Sequence, residues 1–419
     1  MDLFVIGGGG REHAVIKSLK KSAHVGTIYC APGNAGIAQD AKCVPLNPTD
    51  IKGIVEFVKS KAIGFVVVTP DDPLALGMVD ALEAVGIKAF GPNKAAAEIE
   101  SSKVFSKNLM KKYNIPTAEY SVFDAPADAL TFITAQGKYP TVIKADGLAK
   151  GKGVIIAQSE TEAREALHSI MDDKIFGSSG NRVVVEEFLT GPEVSILAFT
   201  DGDTLKPMVS SKDHKRAFDG DEGPNTGGMG TISPNPYYTD DIASICMQSI
   251  FLPTIRAMKK EGRPFKGCLY FGLMLTEKGP KVIEYNARFG DPETQVVLPR
   301  LQSDLLEIME AVADNRLNEI EIRWDARPSA CVVAASHGYP GNYQTGKRIF
   351  GIEQAEASPG VTVYHAGTRI DDKQLVTAGG RVLGVTALGC TLAQALQKAY
   401  SALDEIQFEG KQFRHDIGN

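Results

Sequence analysis

The stretch Lys281-Val-Ile-Glu-Tyr-Asn-Ala-Arg-Phe-Gly-Asp-Pro-Glu-Thr-Gln295 sets Glu284, Asn286 and Arg288 two residues apart. Along a β-strand successive side chains alternate between faces, so residues i, i+2 and i+4 share one. The spacing therefore predicts a strand with a carboxylate, an amide and a guanidinium outward, and Ile283, Tyr285, Ala287 and Phe289 packed inward. Hard oxygen ligands on a rigid strand suit Mg²⁺, which takes one or two carboxylates and completes its shell with substrate phosphates and water. An E-x-N pair alone is more often an ordinary exposed strand face, so its weight comes from the motifs around it.

Upstream, the basic loop Gly147-Leu-Ala-Lys-Gly-Lys-Gly153 lies between the strand Thr141–Lys144 and the strand 154–157. Glycine N–H groups and ammonium charges in such a hairpin, Gly151 and Gly153 included, can fold over a polyphosphate. It is no Walker A loop, because neither the G-x₄-G-K-[ST] spacing nor a following helix is present. Lys144 ends a buried strand, and a buried ammonium needs a counter-charge that a phosphate would supply. Further on, the strand 182–187 runs into Glu187, Leu189 and Glu193. Main-chain groups there are placed to read an adenine edge, and Glu193 to accept ribose hydroxyls.

At the N-terminus a strand Leu3–Ile6 meets Gly7-Gly-Gly-Gly10 and then a helix from Arg11 to Lys20. The loop fails the dinucleotide fingerprint, since Glu12 stands where the third glycine belongs. A phosphate at the helix N-terminus beside Arg11 fits it better. Residues 1–100 alternate strand and helix signals and predict a parallel α/β unit. Residues 94–113 read as one helix, and 121–190 as a compact α+β unit. Residues 210–230, dense in charge and glycine, read as a long substrate loop without regular structure. After Arg327-Pro328, short strands and a helix over 391–406 predict a small α+β unit.

With 419 residues the chain exceeds one ordinary core. Hydrophobic content of 43% and charged content of 23% suit a soluble globular protein, and a formal net charge of −6 argues against a nucleic-acid or anionic-membrane surface. The six scattered cysteines form no C-x-x-C pair and read as reduced thiols of a cytoplasmic protein. No signal peptide or membrane span is expected. The seven histidines form no triad or H-E-x-x-H; His13 and His214 fall in segments read as ligand-binding.

Five segments in this order resemble the ATP-grasp superfamily and, within it, the glycinamide ribonucleotide synthetase family. They are Gly-Gly-Gly-Gly-Arg-Glu-His at 7–13, Lys-Ala-Asp-Gly-Leu-Ala-Lys-Gly-Lys-Gly-Val at 144–154, Asp-His-Lys-Arg at 213–216 with Gly-Pro-Asn-Thr-Gly-Gly-Met-Gly at 223–230, Glu-Tyr-Asn-Ala-Arg-Phe-Gly-Asp-Pro-Glu at 284–293, and Tyr-His-Ala-Gly-Thr at 364–368.

The resemblance implies an α/β chain of three units: an N-terminal parallel α/β domain (1–100), a central ATP-grasp fold of two α+β lobes (101–325, with a mobile lid at about 121–190), and a small C-terminal α+β domain (326–419). It implies that ATP phosphorylates the carboxylate of glycine, and that the amine of 5-phosphoribosylamine then attacks the glycyl phosphate in purine biosynthesis. Lys103 and Lys144 would hold phosphates under the hairpin. Glu186, Glu187 and Leu189 would line adenine, with Glu193 at the ribose. Glu284 and Asn286 would bind Mg²⁺ or Mn²⁺, and Arg288 would steady the acyl phosphate. Asp213 and Lys215 would serve glycine and the transferring group, and Gly9, Gly10 and Arg11 the ribose 5-phosphate. A monomer without nucleic-acid or membrane partners is expected.

One departure stands out. Many relatives carry a second metal-binding acid on the preceding strand, where this chain has Gly272. Two other readings compete: a different ATP-grasp ligase or carboxylase, and a nucleotide sensor without chemistry. The failed fingerprint disfavours a dehydrogenase.

Overall fold

The computed structural model describes residues 1–149 and 153–419. Its N-terminal sheet is parallel, with strands in the order Lys42–Cys43, Ile28–Pro32, Leu3–Gly7, Phe65–Val68 and Lys88–Phe90. Val66, Val67 and their neighbours on Leu3–Gly7 are buried on both faces, which is why these strands read as unbroken apolar runs.

The central region carries two antiparallel sheets. One orders Tyr120–Phe123, Val183–Glu187, Thr141–Ala145 and Val154–Ala157 and encloses its own core of Ile133, Ile143, Leu167, Val183 and Val185. The other orders Leu205–Pro207, Glu193–Asp201, Lys266–Thr276 and Gly279–Asn286. Its apolar faces merge with the N-terminal sheet: Phe4 and Val66 belong to one cluster with Ile196, Phe271 and Tyr285, and Phe65 to another with Phe199 and Phe289. Each such fully buried aromatic contributes on the order of 1.5–3 kcal/mol. The N-terminal unit and this second sheet thus form one floor, against which the first sheet stands as a separately cored lobe.

A fourth sheet contains Ser329–Ser336, Arg381–Leu388 and Val361–His365, but its far edge is built from Lys212–Asp213 and Gly230–Ser233. The terminal helix Leu392–Glu405, capped by the Thr391 hydroxyl, closes it.

Three local expectations need correction. The helix expected over 94–113 is two, Lys94–Ser101 and Lys103–Lys112, because Ser102 leaves the helical region and its hydroxyl caps the second. Asp146 holds the break in place, accepting from the Ser102 hydroxyl at 3.0 Å and the Val104 N–H at 3.1 Å. The segment 210–230 is not an irregular loop. Arg216–Phe218 pairs with Glu222–Asn225, and the turn between them is tied down from the C-terminus by Arg414 on Asp221, His415 on Asp219, and Gly220 N–H on Asp416. Finally, the strand Gly279–Asn286 breaks its alternation at a bulge opposite Gly272 and Leu273. Val282 is fully buried while Ile283 is only half-buried, so the inward face passes from Val282 to Tyr285 rather than from Ile283.

Candidate active site

Downstream of the bulge, Glu284, Asn286 and Arg288 do cluster. The Arg288 Nη2 donates to Asn286 Oδ1 at 2.9 Å and pairs with Glu100 Oε1 at 3.2 Å, and its Nη1 donates to Phe289 O at 3.1 Å. Glu100, at the end of the helix Lys94–Ser101, also accepts from the Ala287 N–H at 2.6 Å. Burial pushes the Glu100 carboxyl up, and Arg288 opposes the shift. Arg288 Nε finds no partner among the described residues, so the guanidinium keeps one buried donor unspent.

Burial also pushes the Glu284 carboxyl up, but four cations outweigh it: Lys215, Lys144, Lys103 and Arg288, in that order. The net shift is below the ordinary glutamate value. The lysines that sequence placed around a polyphosphate therefore converge on the acid that sequence placed on a metal. Lys215 stands between Glu193 at 3.5 Å and Glu284 at 3.7 Å, and Glu193, then Glu284, push its ammonium well up. Lys103 donates to Gly147 O at 2.7 Å, tying the hairpin's first residue to the helix Lys103–Lys112. Gly153 O accepts from Ala145 N–H at 2.9 Å; Gly151 lies outside the described residues.

Lys144 has its counter-charge from the protein itself. Its Nζ lies 3.0 Å from Glu186 Oε1 and donates to Ile283 O at 3.1 Å. The Glu186 carboxylate is buried between this lysine and Lys107. Its neighbour Glu187 is exposed and paired with Lys281 at 2.7 Å, and Leu189 is half-buried beyond the strand end.

The N-terminal loop is more occupied than sequence suggested. Glu12 accepts from Gly9 N–H at 2.6 Å and Arg11 Nε at 2.7 Å, and Arg11 reaches Phe289 O at 3.2 Å. Gly10 is buried against Gln295. The two histidines serve packing. His13 lies between Asp40 and the His365 N–H, and His214 between Gly230 O and the Gly418 N–H.

Family models match the chain in three consecutive pieces: the N domain of phosphoribosylglycinamide synthetase at residues 1–100, its ATP-grasp (A) domain at 101–294 and its C domain at 329–419. The chain belongs to the phosphoribosylglycinamide synthetase family.

A phosphoribosylamine–glycine ligase of Rhodopirellula baltica is 48% identical over 424 residues, covering 100% of this chain and 97% of its own. One from Caldanaerobacter subterraneus subsp. tengcongensis is 48% identical over 417 residues, covering 100% and 99%. The crystal structure of the phosphoribosylamine–glycine ligase from Thermotoga maritima matches with a TM-score of 0.86 at 33% identity, each chain covered in full. A biotin carboxylase of Campylobacter jejuni shares the fold at 14% identity and a TM-score of 0.76, covering 98% of this chain and 92% of its own. As a member of the phosphoribosylglycinamide synthetase family, the chain is an ATP-grasp ligase of purine biosynthesis, and its substrates are ATP, glycine and phosphoribosylamine.

Four residues of this candidate site escaped sequence reasoning. Glu100 carried no motif. Asp291 and Glu293 stood in the opening stretch without partners, and Arg381 lies ninety residues on. Arg381 Nη2 pairs with Asp291 Oδ2 at 3.0 Å, and its Nη1 donates to Asp291 O at 2.8 Å and Gly227 O at 2.5 Å. It thereby clamps the 226–228 turn over Asp213, whose carboxyl is pushed well up by burial and then by Glu293. Gly228 sits at φ +111°, and a Cβ there would lie 2.4 Å from Pro292 Cδ and 2.6 Å from Asp213 Oδ1. Gly228→Ala must therefore move Asp213 or the turn, at a strain of about 1–3 kcal/mol. The expected result is a KM for glycine raised about tenfold with a nearly unchanged KM for ATP, read from steady-state kinetics in each substrate.

Proposed function

We propose that the cluster around Glu284 runs ligation through a glycyl phosphate. The observation that carries this reading is the convergence of Lys103, Lys144, Lys215 and Arg288 on Glu284. Such a cage neutralises charge on a transferring phosphoryl group and offers no protein nucleophile, which suits catalysis by positioning and electrostatics.

In this reading Lys103 and Lys144 hold ATP phosphates, main-chain groups beyond Glu187 line the adenine, and Glu193 takes the ribose. Glu284 and Asn286 offer two hard oxygens suited to Mg²⁺ or Mn²⁺, and no group of three or more acidic, histidine or cysteine side chains that could hold a metal occurs among the described residues. Gly272 faces Glu284 across the ladder and contributes no oxygen. One protein carboxylate with phosphates and water completing the shell is therefore the arrangement that fits. When bound, the ion would neutralise phosphate charge. Arg288 steadies the acyl phosphate, Lys215 follows the transferring group, Asp213 receives the glycine ammonium, and Gly9, Gly10 and Arg11 face the ribose 5-phosphate.

The lobe with its own core over residues 121–190 acts as the lid, moving against a floor built from residues 1–100 and the rest of 101–325, while 326–419 closes the far side. The chain is read as a monomer, checked by light scattering. No helix among the described residues is long and apolar enough to cross a membrane. A cytoplasmic setting is part of this reading, checked by fractionation.

The decisive experiment supplies ATP and glycine without the amine and adds hydroxylamine. Glycyl hydroxamate should form together with ADP. Normal ligation without any trapped hydroxamate would remove the intermediate, and ADP release driven by bicarbonate rather than glycine would remove the whole reading.

A further inference from the structure

Lys107 belongs to no motif, yet its side chain is among the least exposed of the described lysines, at 3%. It projects from the helix Lys103–Lys112 one turn after Lys103, on the same face. Its Nζ lies 2.8 Å from Glu186 Oε2, donates to Thr117 Oγ1 at 2.8 Å and sits 5.8 Å from the centre of the Tyr120 ring. Thr117 in turn donates to Val282 O at 2.7 Å, and Lys144, on the other oxygen of Glu186, donates to Ile283 O. Two lysines therefore share one buried carboxylate, and both are anchored to the bulged start of the strand that carries Glu284.

Charge counting gives this arrangement a purpose. A buried Lys144–Glu186 pair alone would be neutral and would offer little to an incoming anion. Adding Lys107 leaves the trio with one net positive charge, in surroundings where water screens poorly. We propose that Lys107 is a positioning residue for ATP: by taking half of Glu186, it leaves Lys144 a net cation aimed at the nucleotide. The inference rests on the reading of Lys144 as an ATP ligand, and the experiment separates the two.

Burial is the main influence on the Lys107 ammonium and pulls it down to about 8, with Glu186 opposing and Lys144 reinforcing the fall; Glu187 faces it as well. The lysine carries its charge below that value and loses it above, so affinity for ATP should decline as pH rises through about 8.

The test measures equilibrium binding of a non-hydrolysable ATP analogue and steady-state kinetics on the full chain. Lys107→Met should weaken analogue binding and raise KM for ATP about tenfold, with kcat and KM for glycine changed less than about threefold. Lys107→Met with Glu186→Gln should bind the analogue about as well as the parent, because the paired change restores the one net positive charge beside Lys144. A tenfold loss that persists in the double variant relative to the parent would overturn the proposal, as would unchanged binding in Lys107→Met. Should Lys107→Met fail to fold by circular dichroism, Lys107→Gln, which keeps a polar end without the charge, takes its place. In either variant the alkaline decline of the parent should flatten, and a decline identical to the parent's counts against the idea. Lys144→Met is the control on the underlying reading: if it binds the analogue normally, the ATP role of Lys144 fails whatever Lys107 does.

Discussion

Glu284→Gln should lower turnover at least about a hundredfold while analogue binding stays within about threefold of the parent. The substitution keeps the shape of the strand and removes one negative charge from a point where Lys215, Lys144, Lys103 and Arg288 converge. The remaining amide oxygens, here and at Asn286, are neutral and weak metal ligands. Since no second carboxylate stands on the neighbouring strand, where Gly272 faces Glu284, nothing nearby compensates. ATP itself still meets the lysines, so its binding survives. Because the folded Glu284 carboxyl lies below its ordinary value, the group is ionised throughout the neutral range. Its contribution to stability is present above the unfolded value and is lost as pH falls through the lower folded one. The acid limb of activity should therefore lie below the usual glutamate range, and near-normal turnover in the Gln variant would remove Glu284 from the metal site.

The second large effect separates catalysis from stability at one residue. Arg288→Lys keeps a positive charge but gives up the planar fork that holds Asn286, Glu100 and Phe289 O at once. Turnover should fall about a hundredfold or more, as when a preorganised donor to a developing charge is lost. Arg288→Ala should go further and cost about 3–5 kcal/mol of stability, because Glu100, nearly buried and already pushed toward protonation, loses its partner. Glu100→Gln with Arg288→Ala should recover most of that stability and none of the activity. Denaturant melts and single-turnover rates on the same variants read the two effects separately. Stability that stays low in the double variant would show that Arg288 supports the fold by some route other than Glu100.

The motifs were legible because the chemistry they serve is local. A two-residue spacing on a strand, a glycine-lysine hairpin and a glycine-rich βα loop each declare themselves within a dozen residues. Glu284, Asn286 and Arg288 do come together, and Lys103, Lys144 and Lys215 do surround them. The partners of these groups were not legible. Glu100 reaches Arg288 across 188 positions of sequence, and Arg381 reaches Asp291 across ninety. Glu186 read as part of an adenine edge, and its actual neighbours, Lys107 and Lys144, lie on a separate helix and strand. Periodicity also failed where the backbone departs from it: the bulge at Ile283 shifts the inward face by one residue, and Ser102 divides what looked like one helix.

By itself, then, the sequence determined the kind of fold and named the candidate site residues that the chain brings together, since apolar periodicity and short motifs depend on neighbouring residues alone. Only the tertiary structure decided which charges share which, because a buried ion is set by whatever the packing brings within about 4 Å, and chain separation does not limit that distance. Lys144 illustrates the difference. In sequence it is a lysine awaiting a phosphate; in the folded chain it is one of two cations dividing a single carboxylate.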